Sequence, residues 1–158
     1  MGEPVKYVST FLAVRAMAAS KRFYHGVLGL DVISDFGANI TLTGGISLQT
    51  LDTWKEFIGG KDVKLRSNAV ELYFEETDFD TFTERLRSFN IEYVHDVKEH
   101  GWGQRVVRFY DPDGHIIEVG EAMETVVKRF RDSGMTDGQV AERMDVPLEY
   151  VRGFPNRR

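Results

Sequence analysis

Cysteine is missing entirely from the 158 residues of the chain. Disulfides, thiolate nucleophiles and cysteine-ligated metals are therefore excluded. Long apolar runs are missing too, since none approaches the ~18 residues that a membrane span needs. The opening residues, MGEPVKYVST, have no basic segment before an apolar one, so no secretory signal is expected. Together these absences favour a cytoplasmic protein without a membrane partner.

Basic residues are fewer than acidic ones: the chain has 20 Lys and Arg and 25 Asp and Glu, which gives a net charge of −5. This balance argues against a nucleic-acid partner and is compatible with a cationic ligand. The chain does have a 42% apolar content with eleven Phe, six Tyr and two Trp. That composition is enough to bury the core of one domain of ordinary length.

The first half of the chain has the pattern of a strand, a helix and three further strands. The segment YVSTFLAV is rich in β-forming residues, and SKRFYHGVLG has a helical apolar face that ends at Gly29. The segments LDVISDF and NITLTGGISLQT then indicate a strand and a hairpin. Gly44 and Gly45 supply the positive φ that the short hairpin turn needs.

The second half repeats this plan. NAVELYFEE alternates strictly, with Glu71, Tyr73 and Glu75 on the face opposite its apolar residues. DFDTFTERLRSF predicts a helix with Asp78 as its N-cap, and IEYVHDV predicts a strand. The closing segment QRVVRFYDPDGHIIEVG predicts a hairpin around the turn DPDG. We interpret the two halves as an internal repeat of strand, helix and three strands.

Two further segments complete the chain. Residues 51–67 are polar, contain the short helical candidate TWKEFIGG, and are interpreted as a linker. After Gly120 the pattern becomes helical, with EAMETVVKRFRDSG as one helix and two shorter helices after it. Thr136 is placed to cap the first short helix and Pro147 to open the second. The predicted core of these short helices consists of Val140, Ala141, Met144, Val146 and Val151.

The segments FYHGVLGLDV and WGQRVVRFYDPDGHIIEV, in a repeated plan, resemble the vicinal oxygen chelate superfamily of glyoxalase I, bleomycin-resistance proteins and extradiol dioxygenases. The second motif is most similar to bleomycin-resistance-type members. The resemblance implies an α+β fold of paired βαβββ modules, here with a C-terminal helical extension. The domain would span residues 5–121, with module one at 5–50, the linker at 51–67 and module two at 68–121. Residues 122–158 would form the appendage.

The resemblance also implies that each module forms a curved sheet, that the two sheets enclose a ligand cleft, and that the protein is a homodimer. The superfamily's enzymes hold a divalent metal with a His on each module's first strand and a Glu on the final strand. Imidazole and carboxylate ligands suit such metals and leave positions open for substrate.

Only one position of this chain carries the expected metal ligand. The first His position falls near Ser9, with Thr10 next, and the second falls at Glu71, or at Ala69 if the strand is longer. The first module's Glu position falls near Gln49, and only Glu118 matches the pattern. No cofactor is therefore expected. A divalent metal, if one binds, would be held by Glu118 with Glu71 and Gln49.

Glu118 is the leading candidate for a ligand-facing side chain. It alternates with Ile117 and Val119, so it faces away from that apolar set and is expected to point into the cleft. Glu71 follows the same reasoning, and two carboxylates in one cleft would raise the pKa of one of them. Trp102 lies between two glycines, where an indole either plugs a gap in the packing or stacks on a ligand.

Four residues complete the predicted ligand site. Tyr73 and Phe109 are candidates for the cleft wall, with core packing as the default interpretation for both. Gln49 is a candidate polar contact or an ordinary strand residue. Arg105 would pair with Glu118 or Glu71 and neutralise the cleft. The four histidines show no His-x-x-x-His spacing, so none is predicted to be a ligand.

Three functions remain open from the sequence. The first is a metal-independent, small-molecule-binding protein that acts by sequestration and is not an enzyme, as in bleomycin resistance. The second is a metal-dependent lyase, isomerase or thiol transferase of the glyoxalase type, with Glu118 as ligand and Glu71 as ligand or base. The third is a regulatory module whose C-terminal helices contact DNA or a protein. Their mixed charge, seven Lys and Arg against six Asp and Glu from Met123 onward, disfavours DNA.

Overall fold

Residues 2–156, which a computed structural model describes, form two four-stranded sheets with helices. The chain divides into two units. The first unit contains the chain up to Val70 together with Asp111–His115. The second contains Glu71–Tyr110 and the chain from Ile116 onward.

The first unit follows the predicted plan. Its elements are β1 (Thr10–Val14), α1 (Met17–Gly26), β2 (Val32–Asp35), β3 (Asn39–Leu42), β4 (Ile46–Thr50) and α2 (Leu51–Phe57). The strand order is β1-β4-β3-β2, with β1 parallel to β4 and the other neighbours antiparallel. Alternate residues of the strands enter the core, which includes Leu12, Val14, Tyr24, Val27, Ile40, Leu42 and Leu48.

The first strand is shorter than the sequence predicts. The β-forming pattern begins at Tyr7, but β1 begins at Thr10, and Tyr7 and Val8 are exposed. The reason is where the partner strand begins, because Thr10 pairs with Ile46, which is the first residue of β4. Residues before Thr10 therefore have no strand to pair with, so their β propensity is not used.

The DPDG turn between the last two strands is part of the first unit. Gly114 donates its N–H to the carbonyl of Asp111, which closes the predicted turn. The buried Asp111 carboxylate accepts hydrogen bonds from the Tyr24 hydroxyl and from His115 Nδ1, both at 2.7 Å. Asp113 accepts from the backbone N–H and the Nε of Arg15. The turn is thus held by charged hydrogen bonds.

The second unit repeats the plan of the first. Its strands and helix are β5 (Glu71–Glu76), α3 (Phe79–Leu86), β6 (Tyr93–Glu99), β7 (Arg105–Tyr110) and β8 (Ile116–Glu121). The order β5-β8-β7-β6 matches that of the first sheet, which confirms the paired βαβββ modules. Asp78 caps α3 by accepting the N–H of Thr81, as predicted.

The two faces of the second sheet differ in chemistry. One face buries apolar side chains, including Val107, Phe109, Ile117 and Val119. The opposite face carries Tyr73, Arg108 and Glu118, which lie side by side on three neighbouring strands, and we call it the polar face. The strand register therefore places Glu118 opposite the apolar set, as its alternation predicts.

Three helices follow the second sheet: α4 (Met123–Asp132), α5 (Asp137–Met144) and α6 (Leu148–Arg152). They share a core of Val126, Val127, Phe130, Val140, Ala141, Met144 and Val151, with Val146 partly buried beside it. Thr136 caps α5 in a capping box with Gln139, and Pro147 is the N-cap of α6. Across residues 2–156, no helix combines the length and apolarity needed to cross a membrane.

Candidate functional site

The site on the polar face is built by the register of three strands. Tyr73 on β5 and Arg108 on β7 are the direct neighbours of Glu118 on β8. Glu118 is only 6% exposed, although it carries a carboxylate. A carboxylate buried to this extent needs a charged or hydrogen-bonding partner.

Arg108 is that partner. Its Nη2 donates to Glu118 Oε1 at 2.7 Å, and its Nε donates to Glu71 Oε2 at 2.8 Å. Its Nη1 lies 3.2 Å from Nε2 of His95. One guanidinium therefore links both predicted carboxylates, and a fork of this geometry is well suited to two acidic partners.

The protonation of Glu118 reflects opposing effects. Burial raises the pKa of its carboxyl above the usual value, the charge of Arg108 acts in the opposite direction, and Glu71 raises it again. His100 Nε2 lies 3.9 Å from Glu118 Oε1. Burial and the Arg108 charge lower the pKa of His100, which favours a neutral imidazole beside Glu118. A carboxyl with a raised pKa thus lies close to an imidazole with a lowered pKa.

A chain of hydrogen bonds connects Trp102 to the sheet. The indole N–H donates to Gln104 Oε1 at 3.0 Å, and Gln104 Nε2 donates to the Tyr73 hydroxyl at 2.7 Å. Tyr73 in turn donates to Glu75 at 2.7 Å, and burial together with that bond raises the pKa of Tyr73 to about 12. The imidazole of His100 stacks on the indole with centroids 4.2 Å apart. Trp102 is therefore held in a fixed orientation while 41% of it stays exposed.

Two predicted site residues do not lie on the polar face. Arg105 pairs with Asp80 and Glu121, and the expected pairing with Glu118 or Glu71 is made by Arg108 instead. Arg105 and Arg108 are three positions apart, and alternation along a strand puts them on opposite faces. Phe109 is fully buried in the apolar face, so it packs in the core, which was the default interpretation, and does not line the polar face.

Gln49 is occupied within the first sheet. It is buried, its Oε1 accepts from Asn39 Nδ2 at 2.8 Å, and its Nε2 donates to Thr53 at 2.7 Å. Ser9, the other position carried over in this module, bonds to Ser47 and to the carbonyl of Gly45. Both side chains already have protein partners.

The donor set does not fit the superfamily's divalent metal. Glu118 and Glu71 direct oxygens to Arg108, and a guanidinium between two carboxylates repels a second cation. Nowhere in residues 2–156 do three His, Asp or Glu side chains converge as metal ligands.

Sequence reasoning missed three members of the site: Arg108, His100 and Gln104. Arg108 was available from the pattern, because a closing hairpin around DPDG places it next to Glu118 on the same face. His100 and Gln104 lie at the two ends of the loop around Trp102, where alternation gives no guide to orientation.

Comparison with known proteins identifies the class. The glyoxalase-like domain model matches residues 7–124, and the chain belongs to this family. This confirms the resemblance to the vicinal oxygen chelate superfamily. No curated protein matches the chain.

Solved structures share the fold. A protein of unknown function from Agrobacterium tumefaciens str. C58 is 34% identical, with 77% of this chain and 97% of that chain covered and a TM-score of 0.69. A glyoxalase/bleomycin resistance protein/dioxygenase from Nocardioides is 22% identical over 77% and 85% of the two chains, with a TM-score of 0.63. A glyoxalase-related enzyme from Fulvimarina pelagi is 20% identical over 75% and 88%, with a TM-score of 0.66. The last two similarities show the fold alone.

Proposed function

We propose that this glyoxalase/bleomycin-resistance-type protein binds a small molecule without a metal and acts by sequestration in the cytoplasm. The observation that carries the proposal is Arg108, whose guanidinium lies between Glu118 and Glu71. It supplies the positive charge that a metal would otherwise bring to two carboxylates. Binding then requires only polar anchors and an aromatic surface, which the polar face and Trp102 provide.

Metal content tests the first half of this proposal. We expect elemental analysis of protein purified without chelator, and after dialysis against Mn, Fe, Ni or Zn, to find no stoichiometric metal. One metal per chain that disappears in Glu118→Gln would overturn the proposal and support a metal enzyme. Glu84→Gln, which neutralises an exposed carboxylate on α3, is the matched control.

A second candidate function is favoured by one observation, the raised pKa of Glu118. A carboxyl with a raised pKa next to a neutral imidazole suits general acid–base catalysis. In a lyase, isomerase or thiol transferase, Glu118 would move a proton and Arg108 would stabilise the developing anion.

The fate of a bound compound separates the two functions. Compounds that change Trp102 fluorescence are incubated with the protein and recovered for mass spectrometry. Sequestration predicts that they are recovered unchanged. Conversion that is lost in Glu118→Gln, with binding retained, would establish catalysis instead.

We also propose that the protein is a homodimer. The first unit exposes large apolar side chains, including Ile33 at 64% and Phe36 at 80%, and exposed apolar surface of this kind commonly meets a partner. Analytical ultracentrifugation should give twice the chain mass, and Phe36→Ser should shift the equilibrium towards monomer. A single monomeric species at all concentrations would contradict this proposal.

A further inference from the structure

A pocket of about 690 Å³ lies in the second unit, beside the loop that carries Trp102. Its walls include Trp102, Met123, Met144, Asp145, Val146 and Tyr150. The volume falls in the range of small-molecule sites. Four of these six residues follow residue 124, where the match to the glyoxalase-like domain ends. The pocket is therefore formed largely by the C-terminal helices of this chain.

Two aromatic rings in the pocket each pack against a neighbouring ring and remain partly exposed to a ligand. His100 covers one face of the Trp102 indole, and the ring remains 41% exposed. Tyr150 is held edge-on by Phe154, with centroids 5.2 Å apart, and is 39% exposed. Indole and phenol faces attract cations, and the methionine side chains adapt to varied apolar shapes.

Asp145 is the carboxylate of the pocket lining. It is the C-cap of α5 with a left-handed φ of 56°, a conformation better suited to Gly or Asn. Its negative charge lies at the helix C-terminus, where the macrodipole favours cations. Asp145 is exposed and lines the pocket, so its negative charge contributes to the charge of the pocket.

The charge around the pocket depends on Asp145 and on where the basic side chains lie. Arg143 lies beside the lining residue Gly101: it donates to the Gly101 carbonyl at 2.7 Å, and its guanidinium is 3.8 Å from Glu99. The pocket lining itself contains no Lys or Arg. Its charge is therefore complementary to a cation.

We propose that this pocket binds an organic cation with an aromatic or branched aliphatic body, its ammonium group next to Asp145 and flanked by Trp102 and Tyr150. The proposal deepens the small-molecule-binding function and rests on it, since it names the ligand class and adds the C-terminal helices to the site.

Phenyltrimethylammonium is the probe, and tert-butylbenzene, which has the same shape without the charge, is the matched control compound. Binding is measured on the full chain by titration calorimetry, and by Trp102 fluorescence in a Trp54→Phe background. We expect saturable binding of the cation that is about tenfold tighter than that of the neutral compound. Equal affinity for the two compounds, or no saturable binding of the cation, would overturn the proposal.

Variants then locate the site. Asp145→Asn should weaken binding of the cation about fivefold while leaving the thermal midpoint unchanged or higher, because Asn suits the left-handed C-cap. Asp132→Asn, the same charge change at an exposed position on α4, should leave affinity unchanged. Val146→Trp, which fills the pocket, should abolish binding.

The polar-face variant Glu118→Gln separates this inference from the proposed function. Unchanged binding in Glu118→Gln, with weakened binding in Asp145→Asn, supports the pocket. Loss in Glu118→Gln with no effect of Asp145→Asn would place the cation on the polar face. In that case the binding function stands and the pocket proposal fails.

Discussion

At the scale of single residues, Arg108 determines the chemistry of the polar face. Its side chain is 22% exposed and that of Glu118 is 7% exposed, so the pair is poorly screened by water. Glu118 keeps a raised pKa even with this partner. Without Arg108, the buried Glu118 and its neighbour Glu71 would be left as two uncompensated carboxylates.

Arg108→Ala is therefore expected to reduce the free energy of unfolding by about 3 kcal/mol at neutral pH. The deficit should shrink as pH falls, because the native variant takes up a proton on Glu118 above the ordinary glutamate value of 4.5. Urea denaturation between neutral pH and about pH 5 measures this. Arg22→Ala, at an exposed position on α1, should show no such dependence. A deficit that stays constant with pH would contradict the assignment.

The second residue-scale prediction concerns the Tyr24 hydroxyl, which donates to the buried Asp111 at 2.7 Å. Burial opposes ionisation of Asp111, but bonds from His115 and Tyr24 hold its pKa below the usual value. Tyr24→Phe should cost about 2 kcal/mol at neutral pH. The ionised Asp111 stabilises the fold above its unfolded pKa of 3.8, because its pKa is lower in the folded protein. The difference in unfolding free energy between wild type and Tyr24→Phe should therefore decline as pH falls below 3.8.

Denaturant melts of Tyr24→Phe over that pH range are the measurement. Tyr93→Phe is the control, since the Tyr93 hydroxyl forms no hydrogen bond within residues 2–156. Equal losses in the two variants would show that the Tyr24 bond contributes nothing specific.

At the scale of elements, the docking of α4 depends on a glycine in the Trp102 loop. Gly103 has a φ of +88°, and a Cβ there would lie 2.4 Å from Cζ of Phe130 on α4. The Gly103 carbonyl also accepts from Arg129 Nη2 at 2.6 Å. A side chain at this position is excluded both by backbone conformation and by the ring of α4.

Gly103→Ala should destabilise the second unit by about 2 kcal/mol and loosen α4 in particular. Gly101→Ala is a matched control two positions away, because a Cβ there meets no atom within 4 Å. Thermal melts give the size of the effect, and hydrogen exchange of the α4 amides gives its location. Unchanged protection of α4 in Gly103→Ala would show that the loop does not hold this helix.

The faces of the strands were predictable from the sequence, but the ends of the strands were not. Strict alternation in NAVELYFEE and HIIEVG was enough to place Glu118 and Tyr73 on one face, as the register confirms. The start of β1 was not predictable from its own residues, because it depends on where β4 begins. Arg108 was missed although the predicted hairpin around DPDG places it beside Glu118. His100 was not predictable in this way, because loop geometry and not strand alternation brings it to Glu118.

At the scale of the whole molecule, the helices after residue 124 extend a known domain and share a unit with its second sheet. One carboxylate connects the two parts. Glu121, at the end of β8, is 1% exposed and accepts hydrogen bonds from the Arg105 backbone N–H at 2.9 Å and from Arg129 Nη2 on α4 at 3.0 Å. Burial opposes its ionisation, but the Arg105 bonds and the Arg129 charge hold its pKa below the usual value.

Glu121→Gln should therefore weaken the connection between the sheet and the C-terminal helices, with a loss of about 3 kcal/mol at neutral pH. The pKa of Glu121 is lower in the folded protein than its unfolded value of 4.5. The stability that the ionised Glu121 contributes is therefore fully present above pH 4.5 and is lost as pH falls through the pKa of the folded protein. We expect α4–α6 to exchange amide hydrogens faster than β5–β8 in the variant, and at similar rates in the wild type. Glu124→Gln, an exposed carboxylate in the first turn of α4, is the control for charge. If helices and sheet still open together in Glu121→Gln, their cooperativity comes from apolar packing around Phe130, and Phe130→Ala should then separate them.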